Sequence, residues 1–282
     1  MSRHPSCLAS TGGEDYFLES VNHLTDFTNS VYGKWNPQWP IRKENEPEDV
    51  LSSLGKGLVH FLRSQNEGPA SDGGTHIIPV AKTPHVQNTA LFPDLFPEGF
   101  LLVLLRDGRA VTESTMRTWD TLFDDAVEKW RRGGREAIDF IDSHGWSSDW
   151  HRVVRYEELA RDTEATLREV FSAIGLDPEA YPYVELSDMP VVNSSTYGRD
   201  EDEEAWGKTE SGDDFDPLSR FSSWTEVQHQ RFNWLAGDEL RALGYTPQHT
   251  TTSILDTATQ LLKDGKRVPG KAKRILSRYL PL

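Results

Sequence analysis

Six consecutive apolar residues, Phe100-Leu101-Leu102-Val103-Leu104-Leu105, stop abruptly at Arg106-Asp107-Gly108-Arg109. A half-buried strand alternates apolar and polar side chains, whereas an unbroken run predicts a strand covered on both faces, as in a parallel sheet. The pattern predicts a helix starting near Ala110, so the stretch reads strand, tight polar turn, helix. That arrangement places ligands at the carboxyl edge of a parallel sheet.

The rest of the chain alternates in the same way. Phe17, Leu18, Val21, Leu24, Phe27 and Val31 recur at helical spacing and predict a helix over 15–31, closed by Gly33 and Pro37. Val50, Leu51, Leu54, Leu58, Phe61 and Leu62 predict a second amphipathic helix. Residues 66–75, NEGPASDGGT, read as a loop, and 76–81 as a short strand. Residues 151–156 predict another strand. A helix follows over 163–174, with Leu167, Val170, Phe171 and Ile174 on one face and Gly175 closing it. Residues 199–216 form an acidic loop, and a last long helix is predicted over 223–243. Lys263, Lys266, Arg267, Lys271, Lys273, Arg274 and Arg278 make a basic tail. No internal repeat is visible, and the alternation of strands with helices predicts an α/β fold.

Composition narrows the function classes. The net charge is -15, where a general duplex-binding protein needs a basic excess, so nucleic acid is not expected as a partner. Acidity serves solubility, or keeps a surface hydrated in a salt-rich cytoplasm. Only 36% of residues are hydrophobic, yet 9 Trp and 12 Phe are more large apolar side chains than a disordered chain carries. No run of eighteen apolar residues occurs, and no apolar stretch follows Met1–Pro5, so neither a transmembrane helix nor a signal peptide is expected. Cys7 is the single cysteine, which fits a reducing compartment and predicts a cytoplasmic location. The nine histidines lack ligand spacing, so no metal is expected.

Arg106 and Ser114 flank the start of the helix that follows the buried strand. Backbone N–H groups and the dipole at a helix N-terminus favour an anion, and an arginine binds phosphate through two parallel hydrogen bonds. The plain alternative is that Arg106 pairs with Asp107 or Glu113 at the surface. Here the segment LLVLLRDGRAVTES resembles the 3′-phosphate-binding segment of sulfotransferases, which take a sulfuryl group from 3′-phosphoadenosine 5′-phosphosulfate (PAPS). Three more stretches agree in order. VAKTPHVQN with LFPDLFPEGF resembles the family's Lys-Thr-Pro strand end and Phe-Pro turn. VVRYEELARDTEATLREVFSAIGLD resembles its Tyr-Glu-x-Leu segment and following helix. FDPLSRFSSW with ELRALGY resembles its C-terminal Arg, Trp and closing helix. The resemblance spans about residues 4–245 and looks nearest to the branch of tyrosylprotein sulfotransferases and their prokaryotic relatives.

The resemblance implies a P-loop-NTPase-like parallel sheet flanked by helices. It implies a sulfotransferase-like domain over 1–250, with a C-terminal helix and basic tail over 251–282. It also carries one departure. The family begins with a strand and a Gly/Ser/Thr-rich phosphate loop, and this sequence resembles the family only from just downstream, so the first strand and phosphate loop are expected to be missing. By resemblance, Glu14 matches the branch's catalytic carboxylate, Lys82 the lysine that neutralises charge near the sulfuryl group, and Ser195 a serine that helps hold it. Arg106, Ser114, Tyr156 and Arg220 match positions that bind the nucleotide. Plain readings stand beside these: Glu14 complementing a helix dipole, Tyr156 as a core tyrosine, Ser195 in an ordinary polar turn. His85 competes with Glu14 as base, and Ser194 with Ser195. The expected activity is sulfuryl transfer to a hydroxyl on a glycan, lipid headgroup, small molecule or protein tyrosine, with no metal. The alternative is a silent relative that binds a nucleotide or a partner. The basic tail also suggests weak contact with an anionic membrane surface.

Overall fold

The computed structural model describes residues 3–9, 14–64, 77–188, 220–250, 257 and 259–265. In chain order the elements are β1 (Cys7–Ala9), α1 (Val21–Lys34), α2 (Pro40–Glu44), α3 (Pro47–Ser64), β2 (Ile78–Val80), α4 (Phe92–Leu95), β3 (Leu101–Leu105), α5 (Gly108–Trp119) and α6 (Phe123–His144). They continue with β4 (His151–Arg155), α7 (Tyr156–Arg161), α8 (Thr163–Ala173) and α9 (Glu226–Ala242). The result is a mixed α/β chain with short parallel sheets and many helices. It divides into two compact units. The first takes Met1–Arg106, Arg135–Asn193 and Asp200–Asp214; the second takes Asp107–Gly134, Ser194–Arg199 and Phe215–Leu282.

The first unit holds the strands. β1 pairs in parallel with β2 (Cys7 opposite Ile78), and β3 with β4 (Leu101 opposite His151, Leu105 opposite Arg155). Among the described residues the strands therefore stand as two separate pairs. The apolar run predicts a β3 covered on both faces, but only Val103 and Leu105 are buried, while Leu102 is 36% and Leu104 49% exposed. Leu18, Val21, Leu51 and Leu95 make a core with Leu24, Leu58, Phe92, Phe96 and Leu101 around it. Gly55 lets α3 touch the backbone before β3, since a Cβ there would sit 1.7 Å from the Leu95 carbonyl oxygen. Two buried histidines brace this unit. His4 bonds the Asp177 carbonyl through Nε2 and packs on Phe171, and His151 is held by Ser148 and the Gly145 carbonyl.

The second unit packs α5, the start of α6 and α9 around Ala110, Val127, Phe221, Trp224, Phe232, Ala236 and Leu240. Gly108 opens α5 because Trp130 leaves no room for a side chain, an added Cβ lying 2.4 Å from its ring. Asp107 caps the helix by accepting from the Arg109 N–H, and also takes two guanidinium bonds from Arg109. α9 begins with a capping box in which the Thr225 and Gln228 side chains exchange bonds with each other's backbone.

Two boundaries differ from the sequence pattern. The helix predicted from residue 15 begins at Val21, because Tyr16 adopts a left-handed φ of 54° and residues 17–20 form turns. β1 and the 22-residue α6 carry no expectation from the sequence. The loop predicted over 66–75 and the acidic loop over 199–216 lie outside the described residues, as does the basic tail from Lys266 onward.

Candidate active site

Strand ends organise the candidate residues of the first unit. Lys82 lies two residues past β2, and its carbonyl accepts the Asp15 N–H at 3.0 Å. The Asp15 carboxylate then takes the Thr83 hydroxyl at 2.8 Å and the Phe17 N–H at 2.9 Å. That staple joins the segment after β2 to the segment before α1 and turns Glu14 toward Lys82. The Lys82 ammonium donates to Glu14 Oε1 at 2.8 Å, and the Tyr16 hydroxyl donates to Oε2 at 2.8 Å. Both carboxylate oxygens are therefore engaged. Lys82 remains 65% exposed on its side chain, while Glu14 is 20% exposed. Burial pushes the Glu14 carboxyl up, but the bonds from Lys82 and Tyr16, with the charges of Lys82 and His85, outweigh it and hold the group below the usual carboxylate value. The same bond raises the Tyr16 phenol.

His85, the competing base, bonds Glu19 Oε2 through Nδ1 at 2.8 Å. A left-handed Asn88 fixes that neighbourhood by donating to the Leu18 and Glu19 carbonyls. The sequence places Glu14 and Lys82 in separate motifs, and the structure brings them together.

Arg106 and Tyr156 meet by register. Leu105 faces Arg155 in the parallel pair, so the next residue on each strand stands at the same carboxyl edge, where the Arg106 guanidinium lies 4.4 Å from the centre of the Tyr156 ring. Charge and aromatic face attract at that distance.

In the second unit Arg220 donates from Nη1 to the Ser114 hydroxyl at 2.9 Å. These two residues are 106 positions apart and come from different motifs. Around them α5 grips the segment before α9. Trp224 Nε1 donates to Glu113 at 2.8 Å, Arg117 pairs with the other oxygen of Glu113, and Arg109 stacks 4.3 Å from the Phe221 ring centre. Ser195 and Ser194 lie outside the described residues. Among the described residues no group of His, Cys, Asp and Glu is poised to hold a metal ion.

Asp15 and Tyr16 are the residues that sequence reasoning missed. Asp15 is legible as an Asx-type turn former ahead of a helix. The role of Tyr16 depends on a positive φ that a helical pattern cannot reveal.

Chemically, the Glu14–Lys82 pair offers a carboxylate that stays ionised into acid and an exposed ammonium beside it. That pair can take a proton from a hydroxyl and stabilise developing negative charge. The family model described as "Sulfotransferase family" matches residues 8–180, which include Glu14, Lys82, Arg106, Ser114 and Tyr156. No curated protein matches the chain.

Proposed function

Because this chain belongs to the sulfotransferase family, we propose that it moves a sulfuryl group from PAPS to an acceptor hydroxyl, with Glu14 as the base. The observation that carries the reading is the Glu14–Lys82 pair at the carboxyl end of β2. Sulfuryl transfer, like phosphoryl transfer, is governed by positioning and charge stabilisation. PAPS supplies the sulfuryl group. Glu14 takes the proton of the attacking hydroxyl, Lys82 offsets charge on the oxygens around sulfur, and Tyr16 holds the carboxylate in place until the acceptor displaces it. Arg106, with Tyr156 beneath it, suits an adenosine phosphate, since guanidinium is always charged and its planar fork matches phosphate. By the resemblance, Ser114 and Arg220 of the second unit are also assigned to nucleotide binding, and Ser195 to the sulfuryl region.

The acceptor belongs to the hydroxyl class: glycan, lipid headgroup, small molecule or protein tyrosine, the last if the tyrosylprotein-like branch is right.

The experiment follows release of adenosine 3′,5′-bisphosphate from PAPS with a panel of phenol and sugar acceptors. It uses the chain and the chain extended upstream by its in-frame coding sequence. Glu14→Gln lowers turnover by roughly 10²- to 10⁴-fold and leaves donor affinity nearly unchanged, while His85→Ala does much less. The opposite ranking moves the base to His85. Donor binding with no transfer to any acceptor, in either form, favours the silent nucleotide-binding alternative.

A further inference from the structure

One hydroxyl in the first unit already stands where the proposed reaction needs its acceptor, and it belongs to the chain itself. The proposed base, Glu14, accepts from two donors: the Lys82 ammonium on Oε1 and the Tyr16 phenol on Oε2, each at 2.8 Å. An acceptor must bring its hydroxyl within hydrogen-bond reach of the base, about 2.6–3.2 Å. It must also lie beside the cation that offsets charge around sulfur. Tyr16 meets the first condition directly, and the second through the carboxylate that it shares with Lys82.

The backbone puts it there. Tyr16 holds a left-handed φ of 54°, a region that bulky side chains enter at a cost. Its neighbours impose that conformation from both sides. Before it, Asp15 is fixed by the Lys82 carbonyl and the Thr83 hydroxyl. After it, the Phe17 N–H donates back to the Asp15 carboxylate, and the Ser20 N–H donates to the Tyr16 carbonyl at 3.1 Å. Strained residues that their surroundings over-determine cluster at functional sites. The phenol is also open to a reactant. Tyr16 is 45% exposed, beside a Lys82 side chain that is 65% exposed.

Other tyrosines of the first unit lack this combination. Tyr32 donates to Glu46 at 2.8 Å, but there the cation, Arg42, lies against the phenol ring, 3.1 Å from its centre. Tyr181 is buried among Phe171 and Tyr183. A phenol, with an ordinary pKa of about 10, is the most acidic hydroxyl that a side chain offers, so it asks least of a base.

We propose that Tyr16 is a self-acceptor: given donor but no external hydroxyl, the site sulfates its own Tyr16. The inference rests on the sulfuryl-transfer reading above. The Tyr16 oxygen attacks the sulfur of PAPS; a new O–S bond forms and the bond from sulfur to the phosphate oxygen breaks. The phenolic proton passes to Glu14 Oε2 and then to water, and adenosine 3′,5′-bisphosphate leaves. The product is a sulfate ester on Tyr16, an anion beside Glu14 and within the field of Lys82. With that ester in place the base is closed to an outside acceptor, so the chain switches itself off after one transfer.

The test incubates the full 282-residue chain, and the same chain extended upstream, with PAPS alone. Peptide mass spectrometry under conditions that preserve sulfate esters then locates the modification. One sulfate per chain is expected on the Tyr16 peptide, with Tyr32 unmodified. Release of adenosine 3′,5′-bisphosphate stops when that modification is complete, and later transfer to a phenol is lost. A phenol acceptor present from the start protects Tyr16. Glu14→Gln slows the modification by roughly 10²-fold or more. Tyr16→Phe abolishes it, and preincubation with PAPS then causes no loss of transfer. A donor-free readout tests the geometry: ultraviolet titration of wild type against Tyr16→Phe finds a phenol that ionises above its ordinary value, and Glu14→Gln brings it back down. Transfer to an external acceptor with Tyr16 never modified, sulfate spread over several tyrosines, or a modification rate constant that rises with chain concentration overturns the inference and leaves the sulfuryl-transfer reading standing. No transfer to any hydroxyl in either form, Tyr16 included, overturns both. A Tyr16 that titrates as an ordinary phenol removes its bond to Glu14, and the inference with it.

Discussion

Glu14 is held by two donors, and its titration follows from them. Burial raises its pKa and the Lys82 and Tyr16 bonds lower it further than that, so the folded value lies below the unfolded one. A depressed carboxyl adds stability above its unfolded pKa and loses it as pH falls through the folded pKa. For catalysis the same shift keeps the base ionised in mild acid. The acid limb of kcat/KM is therefore expected below the ordinary glutamate value of about 4.3, and Tyr16→Phe moves that limb upward. A pH–rate profile of both proteins checks this. Arg106 is tested by affinity. Arg106→Ala should weaken adenosine 3′,5′-bisphosphate binding by about 1.5–3 kcal/mol, the range for hydrogen bonds to a charged group. Unchanged calorimetric affinity in a folded variant would remove Arg106 from the site. Most of these residues are visible in the sequence because strand ends and turn motifs mark them. Their pairings are less so: Glu14 with Lys82, and Ser114 with Arg220, join positions 68 and 106 apart.

Two glycines on α3 give opposite expectations. A Cβ on Gly55 would meet a fixed carbonyl oxygen at 1.7 Å, and no rotamer change relieves a clash with backbone. Gly55→Ala should cost about 3 kcal/mol, the upper part of the overpacking range. Gly57, one position past Lys56 on the same helix, has nothing within 4 Å. Gly57→Ala should be neutral or stabilising by up to about 1 kcal/mol, since alanine restricts the unfolded chain and favours helix. Urea midpoints of the two variants decide it. At this scale periodicity served β3, β4, α3, α8 and α9 well, because each carries a long apolar pattern. It missed β1, whose three residues are too few to show a period. It also missed α6, where Gly133-Gly134 interrupts the pattern. Gly134 faces Glu239 and Leu243 of the α9 region at ordinary contact distance, a tertiary fact that propensity cannot carry. The same limit explains Leu102 and Leu104. An apolar run states that both faces want covering, but not which segment covers them.

Over the whole chain the charge is -15, and its self-repulsion is screened by salt. The Debye length falls from about 10 Å at 0.1 M to about 3 Å at 1 M. The melting temperature should rise across that range. A melting temperature that drops with sodium chloride would show that attractive ion pairs such as Arg231–Asp124 outweigh the net repulsion. The division into two units was not legible in the sequence, because the chain passes between them several times and no linker composition marks the crossings. Parallel pairing between distant strands has a further consequence, for the order in which the chain acquires its structure. Joining β1 to β2 closes about 70 residues and joining β3 to β4 about 50, a difference in closure entropy of only about 0.3 kcal/mol. Loop length therefore does not decide which forms first. The reward does: five residue pairs lock β3 to β4, and three lock β1 to β2. The β3–β4 pair should condense early and hold its amide protons longest. The segment carrying Glu14, which hangs from the weaker pair, should then be the last part of the first unit to settle and the first to loosen.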